Sequence, residues 1–200
     1  MHDTDRPGGA VRVQPRGVPA RVGDDRHHER VLARRGEQVV RLFPDVDVDG
    51  CAPDLCHTPL TSACSEGKVG AVRALLRMGA DVDLSNPADC ADAAPLHYAS
   101  TQGCPEVVRA LLEHGAAVDA RTRVDDGDTT PLMMASDHGH LGAVRVLVVA
   151  GRADTRLKNA WGLTALDIAR KRASMACFAG MQRLHDTVRF LESCQQPTRN

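Results

Sequence analysis

The strongest constraint on this chain is that it repeats itself. Thr58-Pro59-Leu60 is followed by Ala63, Gly67, Val72, Leu75-Leu76, Gly79-Ala80 and Val82. The same residue types return as Ala94-Pro95-Leu96-His97, Ala99, Gly103, Val107-Val108, Leu111-Leu112, Gly115-Ala116 and Val118. They return again as Thr130-Pro131-Leu132, Ala135, Gly139-His140, Val144, Leu147-Val148 and Gly151. A fourth unit opens at Thr164-Ala165-Leu166, with Ala169. The unit starts, at 58, 94, 130 and 164, lie 36, 36 and 34 residues apart. Self-similarity at such a period marks a stack of small supersecondary units.

Each unit reads as two short helices. Thr-Pro-Leu opens the first, because a hydroxyl accepts from a free backbone N–H and Pro is tolerated where its missing N–H would be unpaired. Gly67, Gly103 or Gly139 follows nine residues after the unit start and permits the positive φ that ends this helix. Val72, Leu75 and Leu76, or Val108, Leu111 and Leu112, have the spacing of one face of a second helix, expected to end at Gly79, Gly115 or Gly151. Aromatics are only 2% of the chain, so the core must come from Leu, Val and Ala. Small Ala at 63, 99 and 135 lets neighbouring helices approach closely. One such pair cannot bury both apolar faces, so the units must stack.

These residues resemble the ankyrin repeat, over about 58–193, most fully at Ala94–Asp119 and Thr58–Asp83. The resemblance implies an all-α solenoid of helix–turn–helix units with β-hairpin fingers at one edge. It also implies that His97 and His140 brace turns by hydrogen bonding. The His position is Thr61, Met133 or Asp167 in the other units, which predicts weaker bracing there. Ala94 replaces the Thr of its unit, a capping loss of about 1 kcal/mol.

The expected organisation is a disordered arm at 1–27, a partial capping repeat at 28–55, repeats at about 58–93, 94–129, 130–163 and 164–193, and a tail at 194–200. In the fourth unit Ala173 replaces the expected Gly. Ser174–His185 then intervenes before a second helix at Thr187–Leu191, so the unit holds an insertion of about a dozen residues or an extended helix.

Composition narrows the function classes. The formal net charge is −1, which argues against a general nucleic-acid binder. No apolar run approaches the roughly 20 residues that span a bilayer. Residues 1–30 lack the apolar stretch of a secretory signal, and the seven cysteines therefore read as reduced thiols of an intracellular, most simply cytoplasmic, protein, with the nucleus as the alternative. Asp45-Val46-Asp47-Val48-Asp49-Gly50 matches half of a calcium loop, but the ninth position is Pro53 and the twelfth is Cys56. It reads instead as the finger before Thr58. Cys51, Cys56, His57 and Cys64 lack zinc-knuckle spacing. No phosphate-binding Gly-rich loop or nucleophile elbow occurs. No cofactor, metal or catalytic set is expected.

The function expected is therefore protein–protein recognition by a monomeric scaffold, adaptor or inhibitor. The alternatives are a regulatory module or fragment of a larger enzyme and, less favoured, nucleic-acid binding through the Arg-rich arm. In ankyrin-like stacks the binding surface lies on the fingers and the exposed face of the first helices. By position that resemblance implies Ser65, Glu66, Thr101, Gln102, Asp137, His138, Lys171 and Arg172, with Met78 and His114 at second-helix ends. The family period is about 33, so the longer units carry extra finger residues, within 84–93 and 120–129. The acidic residues there, Asp89 and Asp92, then Asp125, Asp126 and Asp128, could select a basic partner segment or serve solubility alone. Trp161 falls at a finger turn, either as an interface anchor or folded back on its neighbour.

Overall fold

The computed structural model of the chain describes residues 48–50, 58–85, 92–123, 127–175 and 178–195. The expected arm at 1–27 and most of the capping repeat at 28–55 lie outside the described residues. Eight helices occur among the described residues, in this order. They are α1 (Pro59–Ser65), α2 (Val69–Arg77), α3 (Pro95–Gln102), α4 (Pro105–Glu113), α5 (Pro131–Asp137), α6 (Leu141–Arg145, continued by a wider turn over Val146–Ala150), α7 (Ala165–Met175) and α8 (Phe178–Gln195). No strand occurs among the described residues. The first helices α1, α3, α5 and α7 pack in sequence as one layer, and α2, α4, α6 and α8 as a second. Leu60, Leu96, Leu132, Leu166, Val72, Val108, Val144, Leu111 and Leu147 are buried between the layers. Ala99, Ala135 and Ala169 have no exposed surface, which is what lets the first helices close on one another.

The four units solve the start of the first helix in four ways. Thr58 accepts from the Thr61 amide at 3.1 Å, and the Thr61 hydroxyl donates to the Thr58 carbonyl at 2.9 Å. Ala94 has no capping oxygen, so its own amide donates to His97 Nδ1 at 3.1 Å and the His97 amide turns to the Ala94 carbonyl at 2.9 Å. Thr130 accepts from the Met133 amide at 3.4 Å, while the Met133 side chain joins the core. Thr164 and Asp167 form a reciprocal box. The Asp167 carboxylate accepts from the Thr164 amide and hydroxyl at 3.0 and 2.7 Å, and Thr164 Oγ1 accepts from the Asp167 amide at 3.2 Å. These bonds, the backbone one foremost, hold the Asp167 carboxyl below its ordinary pKa. Thr61 and Asp167 thus replace the missing His with local bonds of their own.

The two histidines do brace turns. His97 Nε2 donates toward the carbonyls of Ala120 and Thr129 at 3.1 and 3.2 Å, joining the second finger to α3. His140 Nε2 donates to the Thr101 carbonyl at 3.0 Å. Gly103 must be glycine twice over: its φ is +77°, and a Cβ would lie 2.3 Å from the His140 ring.

The third unit departs from the expected ending of the second helix. Gly79 and Gly115 are left-handed, with φ of +87° and +88°. Gly151 is right-handed at −79°, and Arg152 takes the left-handed position at +58°. The closing bonds explain the shift. Ala80 donates to Leu75 and Ala116 to Leu111, both at 3.1 Å, whereas the equivalent bond runs from Ala153 to Leu147 at 3.0 Å. One extra residue separates the partners, and the wide turn over Val146–Ala150 absorbs it. Gly151 is instead required by crowding: a Cβ there would lie 2.7 Å from the Leu147 carbonyl oxygen and 2.8 Å from Val118 Cγ2.

In the fourth unit the extended-helix reading holds. With Ala173 in place of the stopping glycine, α7 runs for 11 residues, where α1 and α5 have 7, and α8 has 18. Arg170 pairs with Glu192 of α8 at 2.7 Å, and the Arg145 guanidinium lies 5.1 Å from the Phe190 ring centre.

Candidate functional site

The finger edge is built on a ladder of carboxylates. Asp49 accepts from the Asp81 amide at 3.0 Å, Asp83 from the Ala117 amide at 3.0 Å, and Asp119 from the Asp154 amide at 3.2 Å. Each bond joins one finger to the next, so the Val-Asp pairs of the repeat fix finger spacing. Asp49 is engaged in this way, while Asp45, Asp47, Cys51, Cys56 and His57 lie outside the described residues. Cys64 is fully buried, and burial pushes its thiol up to about 12, so it stays protonated as a small apolar side chain.

The two long fingers close alike. Ser85 donates to Asp92, and 36 residues later Arg121 pairs with Asp128; both Asp residues have φ of +50°. Short polar side chains tolerate that left-handed conformation. The Asp128 carboxylate is therefore engaged within its own finger. Thr122 and Thr129 add backbone and hydroxyl bonds at 2.9 to 3.1 Å beneath the tip. Asp89, Asp125 and Asp126 lie outside the described residues.

The third finger is organised by Asn159, which is buried. Its side-chain oxygen accepts from the amides of Trp161 and Leu163 at 3.0 and 2.9 Å. The Ala160 amide donates across to the Gly127 carbonyl at 3.0 Å. Trp161 then lies over Gly127, where a Cβ would stand 2.3 Å from the ring. Trp161 nonetheless remains 68% exposed. Of the two readings of Trp161, the fold-back on the neighbouring finger is the one seen, and the rest of the side chain faces outward.

That surface forms one wall of a groove of about 640 Å³. Its floor and sides include Met133 and Met134 of α5, Ile168 and Met175 of α7, and Leu163. Thr101, Asp137, His138, Lys171 and Arg172 also line it, so six of the residues selected from the sequence, Trp161 included, converge there. Ser65, Glu66 and Gln102 are exposed but do not line the groove, and neither do Met78 and His114. Arg172 holds Asp137 with two bonds, Nε to Oδ1 at 2.5 Å and Nη2 to Oδ2 at 2.6 Å, tying α7 to α5. The pairing raises the Arg172 pKa, the hydrogen bond contributing most. His138 stacks on His140 with ring centres 5.7 Å apart and planes 3° from parallel. Thr101 donates its hydroxyl to the His97 carbonyl at 3.0 Å, and its oxygen lies 3.3 Å from the Met134 sulfur.

Sequence reading passed over Met133, Met134 and Met175. A signal was present for two of them, since Met133 occupies the His position and Met134 follows it. Met175 reaches the groove only because α7 continues past Ala173.

A solenoid of paired helices with an organised finger edge and an apolar groove beside it defines a helical-repeat protein. Two family models match, one described as ankyrin repeats (3 copies) over residues 31–122 and one as ankyrin repeats (many copies) over residues 118–169. The chain belongs to the ankyrin-repeat family, whose repeats are in general protein–protein interaction modules. No curated protein matches it. Among the described residues, no helix is long and apolar enough to cross a membrane.

Proposed function

We propose that the chain is a non-catalytic recognition module, acting as a scaffold, adaptor or inhibitor, that seats a protein partner in the groove over α3, α5 and α7. One observation carries this reading: Trp161 and Met175, 68% and 70% exposed, line the same groove as the two methionines of α5. Large apolar side chains are costly to leave in water, and aromatic and Met residues are enriched at interface centres. Thr101, Asp137, His138, Lys171 and Arg172 form the polar surround, with Ser65, Glu66 and Gln102 further along the same face. Asp125 and Asp126, acidic in sequence, are proposed to meet a basic stretch of the partner, while Asp128 closes its finger with Arg121. We place the module inside the cell, in the cytoplasm, as a monomer.

Affinity capture from the source cells tests this. The wild type retains a protein that Trp161→Ala loses, while the variant keeps its helical circular dichroism and melting temperature. Equal recovery by a folded Trp161→Ala variant would move the interface off the groove.

A further inference from the structure

The charge balance of the groove narrows what can enter it. Its lining holds one carboxylate, Asp137, and two cationic side chains, Lys171 and Arg172. Both Asp137 oxygens are taken by Arg172, so this carboxylate offers a basic partner little. Lys171 is exposed and has no ion-pair partner among the described residues. The groove therefore presents thioethers, an indole and one uncompensated positive charge.

The apolar wall is also preorganised. Asn159 fixes the backbone on both sides of Trp161, and Gly127 supports the ring. Little conformational freedom is lost there on binding. The methionines opposite are flexible and polarizable, and adapt to the shape of an inserted side chain.

Resting on the groove being the docking site, we infer that its occupant is an acidic amphipathic segment of the partner, with a large apolar side chain over the surface shared by Trp161, Met134 and Met175 and a carboxylate paired with Lys171. A basic segment has no open carboxylate to meet here.

The test is selection of a random 12-residue peptide library on the immobilised full chain, with Trp161→Ala as the counter-selection. The expected result is enrichment of sequences rich in Asp or Glu that carry a Leu, Met, Phe or Trp. A synthetic peptide of the enriched sequence should bind about tenfold more weakly to Lys171→Glu and nearly normally to Lys171→Arg. Enriched peptides that are neutral or basic, lost on Trp161→Ala but indifferent to Lys171→Glu, would overturn the acidic occupant and leave the groove as the site. Peptides that bind Trp161→Ala as well as wild type, or no enrichment over the counter-selection, would overturn both. Lys171 is exposed, so the thermal melt of Lys171→Glu should match wild type and separate a charge effect from unfolding.

Discussion

At the fifth position of each unit the chain carries Ser62, Tyr98, Met134 and Ile168 in turn. In the first unit the face beyond it continues with Ser65 and Glu66, both exposed and polar. In the third and fourth it continues toward Met175 and is walled by Trp161. Two residues away, the core positions Leu60, Leu96, Leu132 and Leu166 are the same residue and all buried. Both halves of the stack therefore share one scaffold and differ in what they present to solvent. The core is set by the need of each unit to bury its faces against the next. The presented face is free of that need, and its apolar character gathers at one end.

The largest effects should come from breaking the shared part. Leu132→Ala removes a fully buried side chain and should cost about 2–5 kcal/mol, as should Leu96→Ala one unit earlier. Trp161→Ala and Met175→Ala should each cost less than about 1 kcal/mol, because most of each side chain is already in water. Urea melts of the four variants check this. A Trp161→Ala cost equal to that of Leu132→Ala would make the indole part of the core and end the distinction.

A smaller effect separates the joint built on His97 from those built on Thr61 and Met133. Burial lowers the His97 pKa against its hydrogen bonds to Thr129, Ala120 and Ala94, which pull the other way. His140 is lowered too, burial again being the main cause. The folded protein then binds fewer protons than the unfolded chain, so this contribution is intact above the ordinary histidine range and is lost as pH falls through it. Stability should decline from about pH 7 to about pH 5, and His97→Asn should flatten that decline without abolishing it, because His140 remains. Denaturant melts across pH provide the check, and an unchanged slope in the variant would remove His97 from the account. Asp167 acts in a lower window: its depressed pKa contributes stability above the carboxylate range that is lost only as pH falls through that range.

The helices, their order and the stacking could be read from the sequence because the residues that build them recur. The resemblance, carried over by position, picked out Thr101, Asp137, His138, Lys171 and Arg172, which line one groove. What was not legible follows from single departures. The extra residue in the third unit left Gly151 in apparent register, yet the structure moves the left-handed position to Arg152 and makes Gly151 a packing glycine. Asp92 and Asp128 were read as tip charges, and their role in closing the fingers depends on partners across a loop. Met175 could be placed only once α7 was known to run on.

We propose that recognition belongs to the third and fourth units and their finger. It is tested most directly by amide hydrogen exchange of the wild-type chain, alone and with the partner retained in affinity capture. Slowed exchange is expected in α5, in 159–163 and in α7, with α1 and α2 unchanged. Protection confined to α1 and α2, with 159–175 exchanging as in the free chain, would contradict it.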